Sequence, residues 1–409
     1  MHKQSIFYGL TVLFLLTQMF PPFNMVVPFS ASQCIAVFII GTFFLYPNLI
    51  LKRSILLLFV YGLITYFFFV SGNAYFSTIN SVIIPVICMM SGLLLFEYAN
   101  TYDKDYKFTR LVVLLTLLLN VIMALISIPQ LRVAPDIIRQ FSYYLKSGTD
   151  EERQVYNWLT SYATLHGLPY LIAPMVFLCI KSSKRNKRLF FCSLTIIVIF
   201  VILLFMANAT TASIISIMMV LICILFPFER FEQKNIIKII FASILSFFIL
   251  SPTVTLPIIT FAKGLTNNGG TAYKRIEDIE TLIMYGEEEG DLGKRAELYE
   301  TSRELFWDSP IIGTSNPELI SRHTWFWDHL ACLGIVFAIP LLILFIAHIK
   351  KVYKSLNVVK APYIYGVLAY LLMLYFKNDF GTGTWLYAFG ILPLLCRYVD
   401  YQINSKLKY

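Results

Sequence analysis

Charge is what this sequence has least of. Only 14% of its 409 residues are Asp, Glu, Lys or Arg, against about 25% in soluble domains. With 58% of residues hydrophobic and a mean hydropathy of +0.70, a soluble fold could not cover its own surface, which excludes a freely soluble enzyme. Paired cysteines are missing too. The seven cysteines (Cys34, Cys88, Cys179, Cys192, Cys223, Cys332 and Cys396) lie in or beside apolar runs, with no C-x-x-C among them. That excludes a disulfide framework and a thiolate metal site, and leaves small apolar packing residues. There is no internal repeat. No aromatic-interleaved basic stripe accompanies the net charge of +9, so no nucleic acid partner is expected.

What is present is a succession of apolar runs, each near the ~20 residues that cross a bilayer as helix. Twelve begin near Ser5, Ala31, Ser54, Ile79, Leu111, His166, Leu189, Thr211, Ile236, Phe326, Tyr363 and Thr384. The expected fold is all-α, a polytopic integral membrane protein with about 12 transmembrane helices and one large and one medium extracytoplasmic loop. In chain order this gives a bundle over 1–262 (spans 1–9, with an outer loop at 129–165), a large outer loop at 263–325, and a second bundle at 326–409 with spans 10–12. The first run follows His2 and Lys3 as a signal peptide core would. Pro21, Pro22 and Phe23 stand where a small-x-small cleavage site would be, so a retained first span is expected. Residues 207–210 read as a tight turn between antiparallel helices.

The basic residues orient the chain. With a cytoplasmic N-terminus and alternating spans, 21 of the 33 Lys and Arg fall inside, among them the K-S-S-K-R-N-K-R string at 181–188. The acids divide the other way, so the inner side carries +15 and the outer side −6. Both termini are then cytoplasmic, and the basicity is a topology signal.

Residues 263–334 form the longest polar interval. Outer loops above ~12–15 residues usually either work or are disordered, and this one has the patterning of order. Residues 277–285 and 296–307 read as short amphipathic helices, with Leu298, Leu305 and Phe306 at helical spacing. Trp307, Trp325 and Trp327 suit a membrane interface. On such a helix Arg295 and Arg303 share a face, with Tyr299 between them. Two guanidiniums there fit a diphosphate; the alternative is pairing with Glu297, Glu300 or Glu304. His323 precedes the tenth span and could serve as a general base, or sit as a polar interfacial residue. His329 lies six residues on, about 9 Å along a helix, too far to share one site directly with His323. Asp328 is an acid at the mouth of a span, where a partner or an aqueous cavity is needed; Arg322 and His329 are its candidate partners. Residues 310–315 (P-I-I-G-T-S) form a turn whose glycine either admits a ligand close to the backbone or ends the loop. In the first outer loop, Arg132 and Arg139 could make a second cationic patch. Asn208, Thr210 and Thr211 lie at an outer helix–helix turn, where helix capping explains them.

These residues resemble the O-antigen polymerase and ligase group of bacterial inner-membrane proteins. That group has an arginine followed four residues later by an aromatic, a P-x-x-G turn, then a histidine before a span with a glycine eleven residues after it. Here these are Arg295 and Tyr299, Pro310 and Gly313, then His323 and Gly334. The fifteen residues between Arg132 and Gly148 match a spacing seen in loops of some polysaccharide polymerases. Many members also carry a small-residue–Arg pair before the eighth span; this chain reads A-T-T-A-S at 209–213, without arginine, which weighs against the ligase branch.

The resemblance implies glycosyl transfer between polyprenyl-diphosphate-linked oligosaccharides on the outer leaflet, in O-antigen or capsule synthesis. Arg295 and His323 would be catalytic, the first steadying the leaving diphosphate and the second taking the acceptor proton. Arg303, Arg322, Arg132, Arg139 and Asp328 would bind diphosphate or glycan. The outer loops hold no D-x-D pair, so no metal and no cofactor are expected. Expected partners are the lipid-linked oligosaccharide, membrane lipid, a chain-length regulator and a flippase. The alternatives are a ligase moving glycan to lipid A core or protein, and a lipid-glycan flippase or transporter. A flippase would carry charges through its spans and short loops, whereas these spans are nearly charge-free.

Overall fold

The computed structural model describes residues 2–27, 31–71, 84–133, 138, 158–184, 186–207, 209–229, 260, 263–264, 273–274, 276–277, 280–281, 290–316, 319–321, 324–376 and 382–406. Among the described residues the regular structure is helical throughout, with no strand. The principal helices are α1 (His2–Met19), α2 (Ala31–Leu45), α3 (Arg53–Ser71), α4 (Ile84–Tyr102), α5 (Lys107–Val133), α6 (Tyr162–Ser182), α7 (Lys187–Met206), α8 (Thr210–Leu225), α9 (Gly290–Asp308), α10 (Trp325–Ser355) and α11 (Lys360–Phe376). The last helical stretch is α12 (Thr382–Leu386), a π-helical turn (Tyr387–Ile391) and α13 (Leu392–Lys406) in direct succession.

Eleven of the twelve apolar runs thus coincide with helices. The ninth, from Ile236, lies outside the described residues. Length is a stricter test. Among the described residues three helices are long and apolar enough to cross a bilayer, Lys107–Arg132, Ala163–Ser182 and Lys187–Met206, and a fourth if the bent pair Trp325–Val336 and Ala338–Ser355 counts as one span. Gln33–Leu45, Arg53–Phe67, Thr211–Leu225 and Lys360–Phe376 are apolar but shorter. Proline accounts for two of the early stops: α2 ends before Pro47 and α8 before Pro227, because the residue preceding a proline is driven out of the helical region. Tyr46 and Phe226 accordingly have ψ near 64° and 67°.

α6 is the axis of the bundle. Its apolar window is 89% buried, and α7, α8, α11 and α13 pack around it. The outer helices turn large apolar side chains outward, such as Phe59, Leu118, Ile202 and Leu225. An apolar exterior on internally hydrogen-bonded helices is what a hydrocarbon surrounding requires.

Two buried carboxylates serve helix ends. Asp103 is buried and accepts the N–H groups of Phe108 and Thr109 at 3.0 and 2.8 Å, which satisfies donors at the start of α5. The chain's one D-x-D string, Asp103-Lys104-Asp105, therefore serves a helix terminus. Asp400 does the same for Asn357 and Val358 before α11.

Candidate functional site

The polar interval folds onto the bundle through α9 and α10, which pack together. The expected short helix at 296–307 is the longer α9, while most of the one at 277–285 lies outside the described residues. Helical register puts Arg295, Tyr299 and Arg303 at successive turns of α9. The Arg295 side chain lies outside the described residues. Tyr299 Oη donates to the carbonyl of Phe376 at 3.0 Å, joining α9 to the end of α11. Arg303 is exposed, and its Nη2 donates to Glu300 Oε1 at 2.6 Å, three residues back on the same helix. Arg132 is exposed in the last turn of α5. Arg139, Arg322 and His323 lie outside the described residues.

The P-I-I-G-T-S turn meets backbone, and the backbone it meets is a broken helix. α10 bends by 109° between Val336 and Ala338, after Gly334 leaves the helical region at φ 64° and ψ −177°. A break inside a helix strands carbonyls before it and N–H groups after it, and stranded groups cannot be left to hydrocarbon. Thr314 and Ser315 donate their N–H groups to the carbonyls of Ala331 and Cys332 at 2.8 and 3.0 Å. Ile335 and Val336 donate to the carbonyls of Pro310 and Ile311 at 2.9 and 3.1 Å. The turn thus supplies partners for two carbonyls before the break and two N–H groups after it. Both glycines are required by this contact, since a Cβ on Gly313 would run into the Cys332 carbonyl and one on Gly334 into that of Ile311.

A second junction lies at the start of α10. Asp328 is wholly buried. Its Oδ1 accepts from Ser302 Oγ at 2.6 Å and Ser321 Oγ at 2.9 Å, and its Oδ2 from the Thr324 N–H at 3.2 Å. The hydroxyl of Ser302 in turn accepts the N–H of Ser321 at 3.0 Å. Thr324 Oγ1 donates to the carbonyl of Tyr375, the neighbour of the carbonyl that Tyr299 engages. Sequence reasoning singled out Asp328 and its need for a partner, and the partners described are hydroxyls and a backbone N–H. Isolated serines in a polar interval carry no periodic signal, so Ser302 and Ser321 were not foreseen. The candidate partner His329 instead meets Tyr61 Oη through Nε2 at 3.0 Å, beneath the Trp325 ring at 4.4 Å.

An apolar cavity of about 440 Å³ opens in the crook of α10. Trp325 and His329 line it from the first arm of the helix, Ile339 and Leu342 from the second, Leu374 from α11 and Trp385 from α12. Its wall thus begins at the turn that Asp328 fastens to α9. The region combines an apolar cavity in the crook of α10 with a polar helix, α9, packed against the same α10. Among the described residues no group of three or more His, Cys, Asp or Glu could hold a metal ion. No family model matches the sequence and no curated protein matches it.

Proposed function

We propose that the protein is a glycosyltransferase that polymerises polyprenyl-diphosphate-linked oligosaccharide repeat units, for O-antigen or capsule, on the outer leaflet of a bacterial inner membrane. In this reading about twelve spans cross the membrane, the termini are cytoplasmic, and 263–325 is the outer loop. The observation that carries it is the juxtaposition of the motif's two halves. Gly313 of the P-x-x-G turn and Gly334, the last residue of the motif, meet backbone to backbone, at a bend whose crook holds an apolar cavity of about 440 Å³. The helix bearing Arg295 is fastened to the start of the same helix α10, through Ser302 and Asp328.

The chemistry follows from charge. An acceptor hydroxyl attacks the anomeric carbon of the donor glycan, forming a new C–O bond. The old C–O bond breaks, and polyprenyl diphosphate leaves with the electron pair. His323 takes the hydroxyl proton, while Arg295, with Arg303 and Arg322, steadies the diphosphate charge that grows in the transition state. The cavity takes the first isoprene units of the donor. A flippase would deliver the substrate, and a chain-length regulator would act on the product.

The test is the glycan ladder of cells whose chromosomal copy is deleted and replaced by Arg295→Ala. Single flipped units that persist without long chains support the polymerase. Loss of all attached units favours a ligase, and repeat units stranded on the cytoplasmic leaflet favour a flippase.

A further inference from the structure

One carboxylate ties together parts of the chain that the proposed chemistry must align. Ser302, Thr324 and Asp328 are all wholly buried, and Asp328 accepts from Ser302, Ser321 and Thr324. Ser302 belongs to α9, seven residues beyond Arg295, which is two turns, about 10 Å along the axis and nearly the same face. Ser321 and Thr324 immediately precede and follow Arg322-His323 in the sequence. The carboxylate therefore grips α9 through Ser302 on one side, and Ser321 and Thr324 before α10 on the other. Ser302 closes the arrangement by accepting the Ser321 N–H at 3.0 Å.

Packing alone would join α9 to α10, and an apolar residue at 328 would avoid desolvating a charge. What a carboxylate adds is direction. Bonds to a charged acceptor are roughly twice as strong as neutral ones and confine distance and angle. A reaction that requires a cation and a base at a fixed separation has use for such a constraint, since an error of about 1 Å in placement can lower a rate about a hundredfold.

We infer that Asp328 is a positioning residue, which through Ser302, Ser321 and Thr324 fixes α9, the helix that bears Arg295 in the sequence, relative to Ser321 and Thr324 before α10. The inference rests on the glycosyltransferase reading, because that reaction is what needs the alignment. It assigns Asp328 no contact with substrate.

The test uses the full-length protein reconstituted in phosphatidylethanolamine–phosphatidylglycerol vesicles with a purified polyprenyl-diphosphate-linked repeat unit. Asp328→Ala and Ser321→Ala should lower kcat about 10- to 100-fold while KM for the lipid-linked donor stays within about threefold. Ser321→Thr keeps the hydroxyl and should restore turnover. In parallel, spin labels on Glu304→Cys and Leu319→Cys, in a Cys192→Ser background, report the distance between α9 and the following loop by pulsed electron paramagnetic resonance. The distribution should be narrow in the parent and in Ser321→Thr, and broad in Asp328→Ala and Ser321→Ala. An unchanged distribution, a change confined to KM, or broadening without loss of turnover would each overturn the inference. A parent protein with no turnover overturns the functional reading instead, and the distances then decide the clasp alone.

Discussion

Gly313 and Gly334 lie backbone against backbone, so that a Cβ on Gly334 would stand 2.5 Å from the Gly313 nitrogen. Both residues also have positive φ, 69° and 64°, a region that L side chains rarely adopt. Twenty residues separate them in the chain, yet each glycine exists because of the other.

Gly334→Ala should therefore be among the most damaging small substitutions. It adds a backbone clash to a strained φ, and a loss of about 2–4 kcal/mol is expected. Gly9→Ala is the control: a Cβ there meets nothing within 4 Å, in the interior of α1, where alanine is the better helix former. Thermal unfolding in detergent should rank Gly334→Ala well below the parent and Gly9→Ala at or above it. Equal melting of Gly334→Ala and parent would show that the turn and the break do not interlock.

That pair also marks how far the sequence could be read. Apolar runs located eleven helices, because a run of some 20 apolar residues has few other folded solutions. The turn composition draws attention to Gly313, and the family resemblance to Gly334. That composition leaves open whether Gly313 serves a ligand, and the structure answers with the backbone of Cys332. The 109° bend could not be read, since the residues on either side of Gly334 are uniformly apolar and one glycine inside a helix is usually tolerated. The same holds for the Ser302–Asp328 bond, where pairing across 26 residues depends on how α9 docks.

Arg303 offers a separation of binding from folding. Its contact with Glu300 is an exposed i,i+3 pair with side chains 51% and 44% accessible, and such pairs contribute at most a few tenths of a kcal/mol. Arg303→Ala should leave the melting temperature within about 1 °C of the parent. If Arg303 meets the diphosphate, the variant should raise KM for the lipid-linked donor severalfold. Arg303→Lys should recover only part, because an ammonium cannot make the bidentate contact. A melting temperature that falls with the activity would return Arg303 to a structural role.

The loop offers a pH test. Lys263 Nζ lies 2.7 Å from Glu280 Oε2 and 3.2 Å from Glu277 Oε1, and the bond to Glu280, aided by Glu277, holds its ammonium above the usual lysine range. A raised folded value means that the contribution is complete below the unfolded lysine value of about 10.4 and is lost as pH rises through the higher folded one. A nitroxide at Lys274→Cys should thus keep constant mobility between about pH 7 and 10. Lys263→Met should raise that mobility throughout the window. Increasing mobility in the parent already near pH 8 would contradict the pairing.

The last prediction concerns a charge within the bundle. Glu97 of α4 is 1% exposed, and its Oε1 receives Lys351 Nζ from the second arm of α10. Its Oε2 has no partner among the described residues. Lys351 is 40% exposed, so the two partners are unequal. Removing the lysine leaves a buried carboxylate alone, whereas removing the carboxylate leaves an ammonium that can turn to water. Lys351→Met should therefore destabilise by about 2–4 kcal/mol, and Glu97→Gln by less. The double variant should melt above Lys351→Met alone, giving a coupling of about 1–3 kcal/mol in a double-mutant cycle. The coupling should also survive salt, because a buried partner is poorly screened. Additive effects, or a coupling abolished by 0.5 M salt on the order of a 4 Å screening length, would mean that the pair is open to water and that Glu97 is held by something else.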